Sequence, residues 1–309
     1  MDDLVVLTDG LTKRYGDRLA VDSVSMTVRR GEVYGFLGPN GAGKTTTLRM
    51  MLGLILPTAG TASVLGRPAG RPDTIARVGA LVEGPGFFPY LSGRDNLRTM
   101  ARYRGLGDDA VAAALARVDL ADRADDKFKA YSLGMKQRLG VASALMGDPE
   151  LIVLDEPTNG LDPAGMADMR ALVVSLARGG QTVLLSSHLL AEVQEICDRV
   201  GVINGGRLLR EARVDELRGD ATLRVHATPE DAAIAVAMRV AGEDAVRRTP
   251  RGLEVGLPAS AAPALVRDLV AAGVDVHEVS PAERTLEEVF FEMTTTTATT
   301  AVQTEERVS

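Results

Sequence analysis

The chain has 309 residues, of which 25% are charged and 45% hydrophobic, values that argue against a disordered or collagen-like protein. This length exceeds one ordinary core and fits one large domain with a smaller one. The net charge of −7 and the lack of tryptophan argue against a nucleic-acid partner, which usually requires a basic surface and aromatic stacking platforms.

The start of the chain, MDDLVVLTDG, is acidic and lacks the basic region and the apolar stretch of a signal peptide. No segment approaches the ~18 uncharged apolar residues that a membrane helix needs. The one cysteine, Cys197, falls on the apolar side of a predicted helix and is expected to be buried. We therefore expect a cytoplasmic protein that depends on a partner for any role at a membrane.

Residues 4 to 37 read as short strands ending in the buried run VYGFLG, and a helix is predicted from about 45 to 52. Strands return in GLILPTAGTASVLG, and residues 84–150 have the Ala, Arg, Asp and Leu spacing of a helical insert. The later runs ELIVLDEP, QTVLLSS and RVGVING are predicted strands, with a helix between the first two. Alternation of strand and helix predicts a parallel sheet covered by helices.

A second pattern begins after about residue 220, where strand, helix, two strands, helix and strand follow one another. This order predicts a small α+β domain of the ferredoxin-like type, a fold that hosts many functions. The segment RTLEEVFFEMT is predicted to form a closing helix, and the tail after it is predicted to be disordered. The expected domains are 1–220, which includes the helical insert, and 221–293, followed by the tail 294–309.

The segment GPNGAGKTT matches the P-loop pattern G-x-x-x-x-G-K-[ST], between a predicted strand and a predicted helix. A Gly-rich structural turn is the alternative, which these flanking elements disfavour. Such a loop turns backbone N–H groups toward phosphate oxygens at a helix N-terminus. Lys44 would reach the β and γ phosphates of ATP, and Thr45 would offer its hydroxyl to Mg²⁺. The residues predicted to bind the nucleotide here are Gly38, Pro39, Asn40, Gly41, Ala42, Gly43, Lys44, Thr45 and Thr46.

Two adjacent acids end the apolar run LIVLDEP, at the edge where α/β sheets place ligands. The alternative is a buried strand that stops in a polar turn. We predict that Asp155 holds Mg²⁺ or its waters and that Glu156 accepts a hydrogen bond from the attacking water. His188, in LLSSHLL, is assigned to the γ-phosphate and the water, although a lone histidine is more often structural. Lys44, Glu156 and His188 are the predicted catalytic residues of ATP hydrolysis.

A second anion site is predicted in YSLGMKQRLG, where Ser132 begins a helix with Leu139, Ala142 and Leu145 on one side. A simple serine cap on a core helix is the alternative. Because the chain has one P-loop, a second phosphate-binding helix start makes sense if it closes over the nucleotide of another copy. Two ATP molecules would then be buried between two chains.

With these motifs in this order, residues 4 to about 220 resemble the nucleotide-binding subunit of an ATP-binding cassette (ABC) transporter. The resemblance implies a P-loop NTPase fold with a RecA-like parallel-sheet core, an antiparallel β subdomain and a helical insert. It also implies that Tyr15 stacks on adenine, that Ser132 and Gly134 contact the γ-phosphate held by the partner, and that Asp162 couples the two sites.

Three positions depart from the family pattern. The signature, usually Leu-Ser-Gly-Gly-Gln, is here YSLGM at residues 131–135, which keeps the hydroxyl and the second glycine. Glu83 stands where the family usually has glutamine, and we expect it to serve as a third Mg²⁺ ligand beside Thr45 and Asp155. Asn159 replaces a common serine before Asp162.

Three features resemble the bacitracin-export and daunorubicin-resistance branch of the family. They are Glu83 with the segment GPGFFPYLSG, the segment SLGMKQRL, and the late segment TLEEVFFEMT. That branch implies an ATPase that drives export of an antibiotic, peptide or other amphiphile through a separately encoded permease. The partners implied are a second copy in a head-to-tail ATP sandwich, or a related cassette, and the transmembrane permease, which would hold this chain at the inner face of the membrane. Phe87, Phe88 and Tyr90 would line the permease groove, or would instead be buried anchors of a loop.

A soluble cassette ATPase without a permease, such as a translation or DNA-repair factor, is the alternative function. Translation factors of this superfamily carry two cassettes in one chain, and repair members carry long coiled-coil insertions. The single P-loop and the lack of a sustained heptad run argue against both.

Overall fold

The computed structural model describes residues 3–218, 222–250 and 252–282. The chain divides into two compact units, Met1–Arg213 and Val214–Ser309, whereas the sequence suggested a boundary at residue 220. The predicted closing helix at 284–294 and the tail at 294–309 lie outside the described residues.

The first unit is an α/β structure with two sheets. Its strands are β1 (Leu4–Tyr15), β2 (Arg18–Val24), β3 (Thr27–Arg29), β4 (Val33–Leu37), β5 (Ala59–Val64), β6 (Arg67–Pro68), β7 (Val78–Leu81), β8 (Leu151–Asp155), β9 (Thr182–Ser187), β10 (Arg199–Asn204) and β11 (Arg207–Arg213). Its helices are α1 (Lys44–Met51), α2 (Pro72–Ile75), α3 (Gly93–Tyr103), α4 (Asp108–Arg117), α5 (Leu133–Leu145), α6 (Pro163–Arg178) and α7 (Leu190–Ile196), with short 3-10 turns at Ala121–Arg123 and Phe128–Ala130.

The larger sheet has the strand order β11-β10-β4-β9-β8-β7, and every pair from β10 to β7 is parallel. Every residue of β4, β8 and β9 is buried, as expected for strands covered by helices on both faces. Their carboxyl ends carry the P-loop, the acid pair and His188, so parallel pairing brings together three segments that are distant in sequence. This arrangement confirms the predicted parallel core.

The smaller sheet is antiparallel, in the order β2-β1-β5-β6 with β3 also paired to β1. A single hydrophobic cluster includes Val6 and Val64 of this sheet, Leu48 of α1, and Phe36 and Val153 of the parallel sheet. The buried side chains of α1 therefore pack within this cluster. This packing fixes the position of the segment GPNGAGKTT, which leads into the helix.

The helical insert consists of α3, α4 and α5. Its first helix begins at Gly93 rather than at residue 84, because the intervening segment contains Pro85 and Pro89, which disfavour a continuous helix. All seven residues from Leu139 to Leu145 are buried. Cys197 is buried as predicted.

The second unit contains α8 (Val214–Arg218), β12 (Thr222–Thr228), α9 (Glu230–Ala241), β13 (Val246–Thr249), β14 (Gly252–Val255), α10 (Ala262–Ala271) and β15 (Asp275–Ala282), with 3-10 turns at Glu243–Ala245 and Ala259–Ala261. The strand order β13-β14-β12-β15 is antiparallel throughout, which confirms the predicted ferredoxin-like topology. His226 and His277 lie on the exposed side of this sheet, with ring centroids 5.2 Å apart.

Candidate functional site

The P-loop connects the end of β4 to the start of α1, and its backbone requires glycine. Gly43 has φ +107°, a left-handed conformation, and a Cβ there would lie 2.6 Å from the carbonyl oxygen of Ala20. At Gly38 a Cβ would lie 2.2 Å from the carbonyl oxygen of Ile203. Side chains are therefore excluded at both positions, and the open N-terminus of α1 has no side-chain cap. Free N–H groups at such a helix start form an anion site.

A cavity of about 380 Å³ lies over this loop. It is lined by Asn40, Gly41 and residues 43–46, by Glu156, and by Tyr15, Arg18 and Ala20 from the antiparallel sheet. The Tyr15 side chain is 48% exposed, and its ring is contacted by Lys13 at 5.1 Å from the centroid. The cavity thus combines a phosphate-binding loop with an accessible aromatic ring, as a nucleotide requires. Arg18 is a lining residue that sequence reasoning did not single out.

Lys44 is 4% exposed and its ammonium has three acceptors. It donates to the carbonyl oxygens of Gly38 at 2.7 Å and Pro39 at 3.2 Å, and it lies 3.0 Å from Oε1 of Glu156. Gly38 and Pro39 therefore hold the lysine rather than line the cavity. Ala42 is buried beneath the loop.

Asp155 contacts Thr45, which lines the cavity. The hydroxyl of Thr45 donates to Oδ2 of Asp155 at 2.7 Å. A hydroxyl and a carboxylate are hard oxygen donors of the kind that Mg²⁺ takes beside nucleotide phosphates. The residues present therefore fit a Mg²⁺ ion held by Thr45 and Asp155.

Glu156, the second residue of the acid pair, contacts both Lys44 and His188. Its Oε2 lies 2.9 Å from Nδ1 of His188, while Oε1 pairs with Lys44. Glu156 has φ +49°, a left-handed conformation that a residue with a Cβ adopts only when its surroundings hold it there. The structure thus brings together the three predicted catalytic side chains of Lys44, Glu156 and His188.

Ser186, on β9, contacts both acids and was missed by sequence reasoning. Its hydroxyl donates to Oδ1 of Asp155 and accepts from the N–H of Glu156 at 3.0 Å. Parallel pairing of β8 with β9 puts Ser186 opposite Asp155. Finding it required the register of two strands that are 31 residues apart in sequence.

A second cavity, of about 450 Å³, lies at the predicted signature helix. Ser132 caps α5 by accepting from the N–H of Met135 at 3.2 Å, and Asp162 caps α6 by accepting from the N–H of Gly165 at 3.1 Å. Ser132, Gly134 and Asp162 all line this cavity, together with Arg138 and Asp168, which sequence reasoning did not identify. The two cavities share no lining residue.

Tyr131 anchors the turn that leads into α5. Its hydroxyl donates to the carbonyl oxygen of Arg123 at 2.7 Å, and burial raises the pKa of this phenol. A Cβ at Gly93 would lie 2.2 Å from the same hydroxyl. The position of Ser132 is therefore set by a buried, hydrogen-bonded tyrosine and by a glycine in the facing helix.

The carboxylate of Glu83 forms an ion pair with Arg49 of α1, and its side chain is 61% exposed. Among the hydrogen bonds of the described residues, none joins Glu83 to Thr45 or Asp155. Its role as a third Mg²⁺ ligand stays a prediction. In this structure the Thr45 and Asp155 pair is formed without Glu83.

Phe87, Phe88 and Tyr90 were predicted either to line the permease groove or to be buried anchors of a loop, and their environments in the structure differ. Phe87 packs edge-on against Phe128, with centroids 5.3 Å apart, as an anchor of the loop would. Phe88 and Tyr90 are exposed. A groove of about 650 Å³ lies near the edge strand β7 and is lined from α2, β7, α3 and α5. Tyr103 lines this groove and is 91% exposed.

The chain is similar to ATP-binding proteins of known transporters. A family model described as ABC transporter matches residues 21–159. The chain is 45% identical over 218 residues to the bacitracin transport ATP-binding protein BcrA of Bacillus licheniformis, covering 69% of this chain and 71% of the relative. It is 38% identical over 307 residues to the daunorubicin resistance ATP-binding protein DrrA3 of Streptomyces coeruleorubidus, covering 95% and 97%.

The solved structure of cbiO1 from Clostridium perfringens, part of the ABC transporter complex cbiONQ, superposes with a TM-score of 0.63 at 28% identity. The superposition covers 70% of this chain and 90% of that chain. None of the helices in the described ranges has both the length and the apolar character needed to span a bilayer.

Proposed function

The chain belongs to the family of ATP-binding subunits of ABC transporters, which are ATPases, and from this premise we propose that it drives an exporter. The cargo class is an antibiotic, peptide or other amphiphile, moved through a separately encoded permease. Two relatives named for bacitracin transport and daunorubicin resistance support this class, the second over 95% of the chain. The alternative of a cassette ATPase without a permease has no support from these relatives.

The main support for a site shared between two chains is that the two cavities are separate. One holds the P-loop and Tyr15, the other holds Ser132, Gly134 and Asp162, and no residue belongs to both. A nucleotide seated on the P-loop would therefore lack the signature contacts within one chain. A head-to-tail pair of chains, or a pair with a related cassette, supplies these contacts to each of two ATP molecules.

ATP entering the P-loop cavity stacks its base on Tyr15 and places its phosphates at the start of α1. Lys44 exchanges Glu156 for phosphate oxygens, because the more concentrated negative charge of the phosphates competes for the ammonium. Thr45 and Asp155 would hold Mg²⁺, which neutralises charge on the phosphates. Glu156, released from Lys44, is left with His188 as its remaining side-chain partner.

Hydrolysis then requires Glu156 to accept a hydrogen bond from the attacking water and to take up its proton. His188 orients the Glu156 carboxylate through Nδ1 and leaves Nε2 for the γ-phosphate or the water. Ser132 and Gly134 of the partner chain approach the γ-phosphate from the opposite side. Closure and hydrolysis are thereby linked, since the site is complete only when two chains meet.

The permease is proposed to bind near β7, where the 650 Å³ groove exposes Tyr103. Exposed aromatic side chains are favoured anchors of protein interfaces. Phe88 and Tyr90, which precede α3, are also exposed. Binding there would hold the chain at the inner face of the membrane.

The test is the dependence of ATP hydrolysis on protein concentration, measured on the full chain. A shared site predicts that the rate per chain falls on dilution, as dimers dissociate. A rate per chain that stays constant to the lowest measurable concentration, with monomers seen by light scattering, would contradict the composite site. Co-purification of a polytopic membrane protein with the native chain, and its loss with Tyr103→Glu, tests the permease contact.

A further inference from the structure

We infer that Ser186 is a positioning residue for hydrolysis, fixing both the carboxylate of Asp155 and the backbone of Glu156. The inference rests on the proposed function, because it concerns the placement of the proposed general base. It adds a residue to which the sequence analysis assigned no role.

Ser186 is fully buried near the carboxyl end of β9. Its hydroxyl makes two contacts, as donor to Oδ1 of Asp155 and as acceptor from the N–H of Glu156 at 3.0 Å. The carbonyl oxygen of the same residue accepts from the N–H of Glu156 at 3.2 Å. One residue therefore holds the side chain of the first acid and the main chain of the second.

The remaining contacts of Asp155 show why this hydroxyl matters. Asp155 is buried, and its other oxygen, Oδ2, accepts from Thr45. With both hydroxyls present, each carboxylate oxygen has a donor and the plane of the carboxylate is fixed. Without Ser186, Oδ1 would lose its donor inside the protein, where an unsatisfied charged oxygen is costly.

Glu156 depends on Ser186 for a second reason. Its φ of +49° is unfavourable for a residue with a Cβ, so contacts to its backbone must hold it there. The hydroxyl of Ser186 supplies one of those contacts at the N–H. Loss of the hydroxyl would let the peptide relax and would move the carboxylate that must meet the water. A shift of about 1 Å in a reacting group can lower a rate roughly 100-fold.

The adjacent Ser187 has a different role. Its hydroxyl donates to Oε2 of Glu192 at 2.6 Å and accepts from the N–H of Leu189 at 3.0 Å. These contacts order the start of α7. The two neighbouring serines in SSH are thus not equivalent. Of these two hydroxyls, that of Ser186 contacts the acid pair and that of Ser187 contacts Glu192 and Leu189.

The experiment compares Ser186→Thr with Ser186→Val, which have the same shape and differ in the hydroxyl. Thr is expected to retain most of the native kcat, and Val to lose about tenfold to 100-fold relative to Thr, as for a displaced reacting group. The KM for ATP should agree between the two within about twofold, because the P-loop cavity does not include Ser186. Thermal unfolding of both variants measures any loss of folded protein.

A second pair keeps the inference falsifiable if the larger side chains prevent folding. Ser186→Ala removes the hydroxyl without adding volume, and Thr182→Val is the control for the loss of a buried hydroxyl on the same strand. Thr182 is buried at the start of β9, and its hydroxyl accepts from the N–H of Gly31 at 3.0 Å. We expect Ser186→Ala to lower kcat at unchanged KM and Thr182→Val to leave both near native values.

Hydrogen exchange at the Glu156 amide gives a readout that does not depend on activity. It should be faster in Ser186→Val than in Ser186→Thr, because one of the two acceptors of that N–H is lost. Equal kcat and equal exchange in the two variants would overturn the inference. If the native chain hydrolyses no ATP, the proposed function fails instead, and the exchange experiment still decides whether Ser186 holds Glu156.

Discussion

The ammonium of Lys44 lies 3.0 Å from the carboxylate of Glu156, so the phosphate-binding lysine is paired with the proposed general base. The same carboxylate contacts His188 at 2.9 Å through its other oxygen. ATP must separate Lys44 from Glu156 in order to bind, and separation leaves the base free. In the proposed mechanism, nucleotide binding therefore also frees the general base.

Glu156→Gln is expected to bind ATP at least as tightly as the native chain, because the lysine loses an anionic competitor. Hydrolysis should fall by about 100-fold to 10,000-fold, the usual contribution of a general base. The proposed dimer should then persist with ATP bound, which size-exclusion chromatography with and without ATP would detect. Glu150→Gln is the control, since Glu150 precedes β8 and pairs with Arg30 and Arg77. Native-rate hydrolysis by Glu156→Gln would remove Glu156 from the role of base.

Ser132→Arg, made in the Glu156→Gln background, is expected to abolish the ATP-dependent dimer and to leave ATP binding by the monomer intact. The arginine adds bulk and charge to the second cavity, which contains no P-loop residue. Ser92→Ala is the control for the lost cap, because Ser92 caps α3 in the same way and a serine cap contributes about 1 kcal/mol. A persistent dimer in the double variant would contradict the proposed role of Ser132.

Tyr15→Ala is expected to weaken ATP binding by about 1–3 kcal/mol, the usual effect of removing a ring that stacks on a base. Tyr15→Phe should retain most of the affinity, because the ring carries the contact. Titration of each variant with a fluorescent ATP analogue measures the difference. Tyr103→Ala is the control, since Tyr103 is exposed and lines a different groove. Native ATP affinity in Tyr15→Ala would show that the adenine does not stack on Tyr15.

The Mg²⁺ dependence of hydrolysis distinguishes Asp155 from Glu83. We expect Asp155→Asn to raise the half-saturating Mg²⁺ concentration about tenfold or more, the usual scale for residues that orient a metal site. Glu83→Gln should change it by less than about twofold, the effect of losing an exposed ion pair. A large shift in Glu83→Gln would show that Glu83 leaves Arg49 and joins Thr45 and Asp155 when ATP is bound.

Cys197 is the only cysteine, and burial raises the pKa of its thiol well above the ordinary range. We expect no reaction with a thiol reagent at pH 8 in the folded chain, and rapid reaction in denaturant. Above pH ~8.5 the unfolded thiol loses its proton while the folded thiol keeps it. The unfolded state then binds fewer protons, so this group lowers the free energy of unfolding as pH rises. Fast labelling of the native chain would contradict the burial.

The sequence was sufficient where a function depends on neighbouring residues. The P-loop is continuous from residue 38 to 46, and its glycines, its lysine and the flanking elements could all be identified directly. The same holds for Ser132, whose cap bond spans three residues. The parallel core and the ferredoxin-like unit followed from the order of strands and helices.

Contacts between distant segments could not be obtained in this way. The bond from Ser186 to Asp155 depends on the register of β9 against β8, which a single sequence does not give. Glu83 was assigned to Mg²⁺ from the family pattern, and its ion pair with Arg49 was not foreseen. That pairing depends on how the segment after β7 packs beside α1, which is a matter of tertiary structure.

The absence of any shared lining residue between the two cavities has a genetic consequence for the proposed dimer. A cell that expresses one copy damaged at Lys44 and another damaged at Ser132 would still assemble one wholly intact site in each mixed pair, with both lesions confined to the other site. Two copies with the same lesion would assemble none. Defects in the two halves of the site should therefore complement each other, and defects within one half should not.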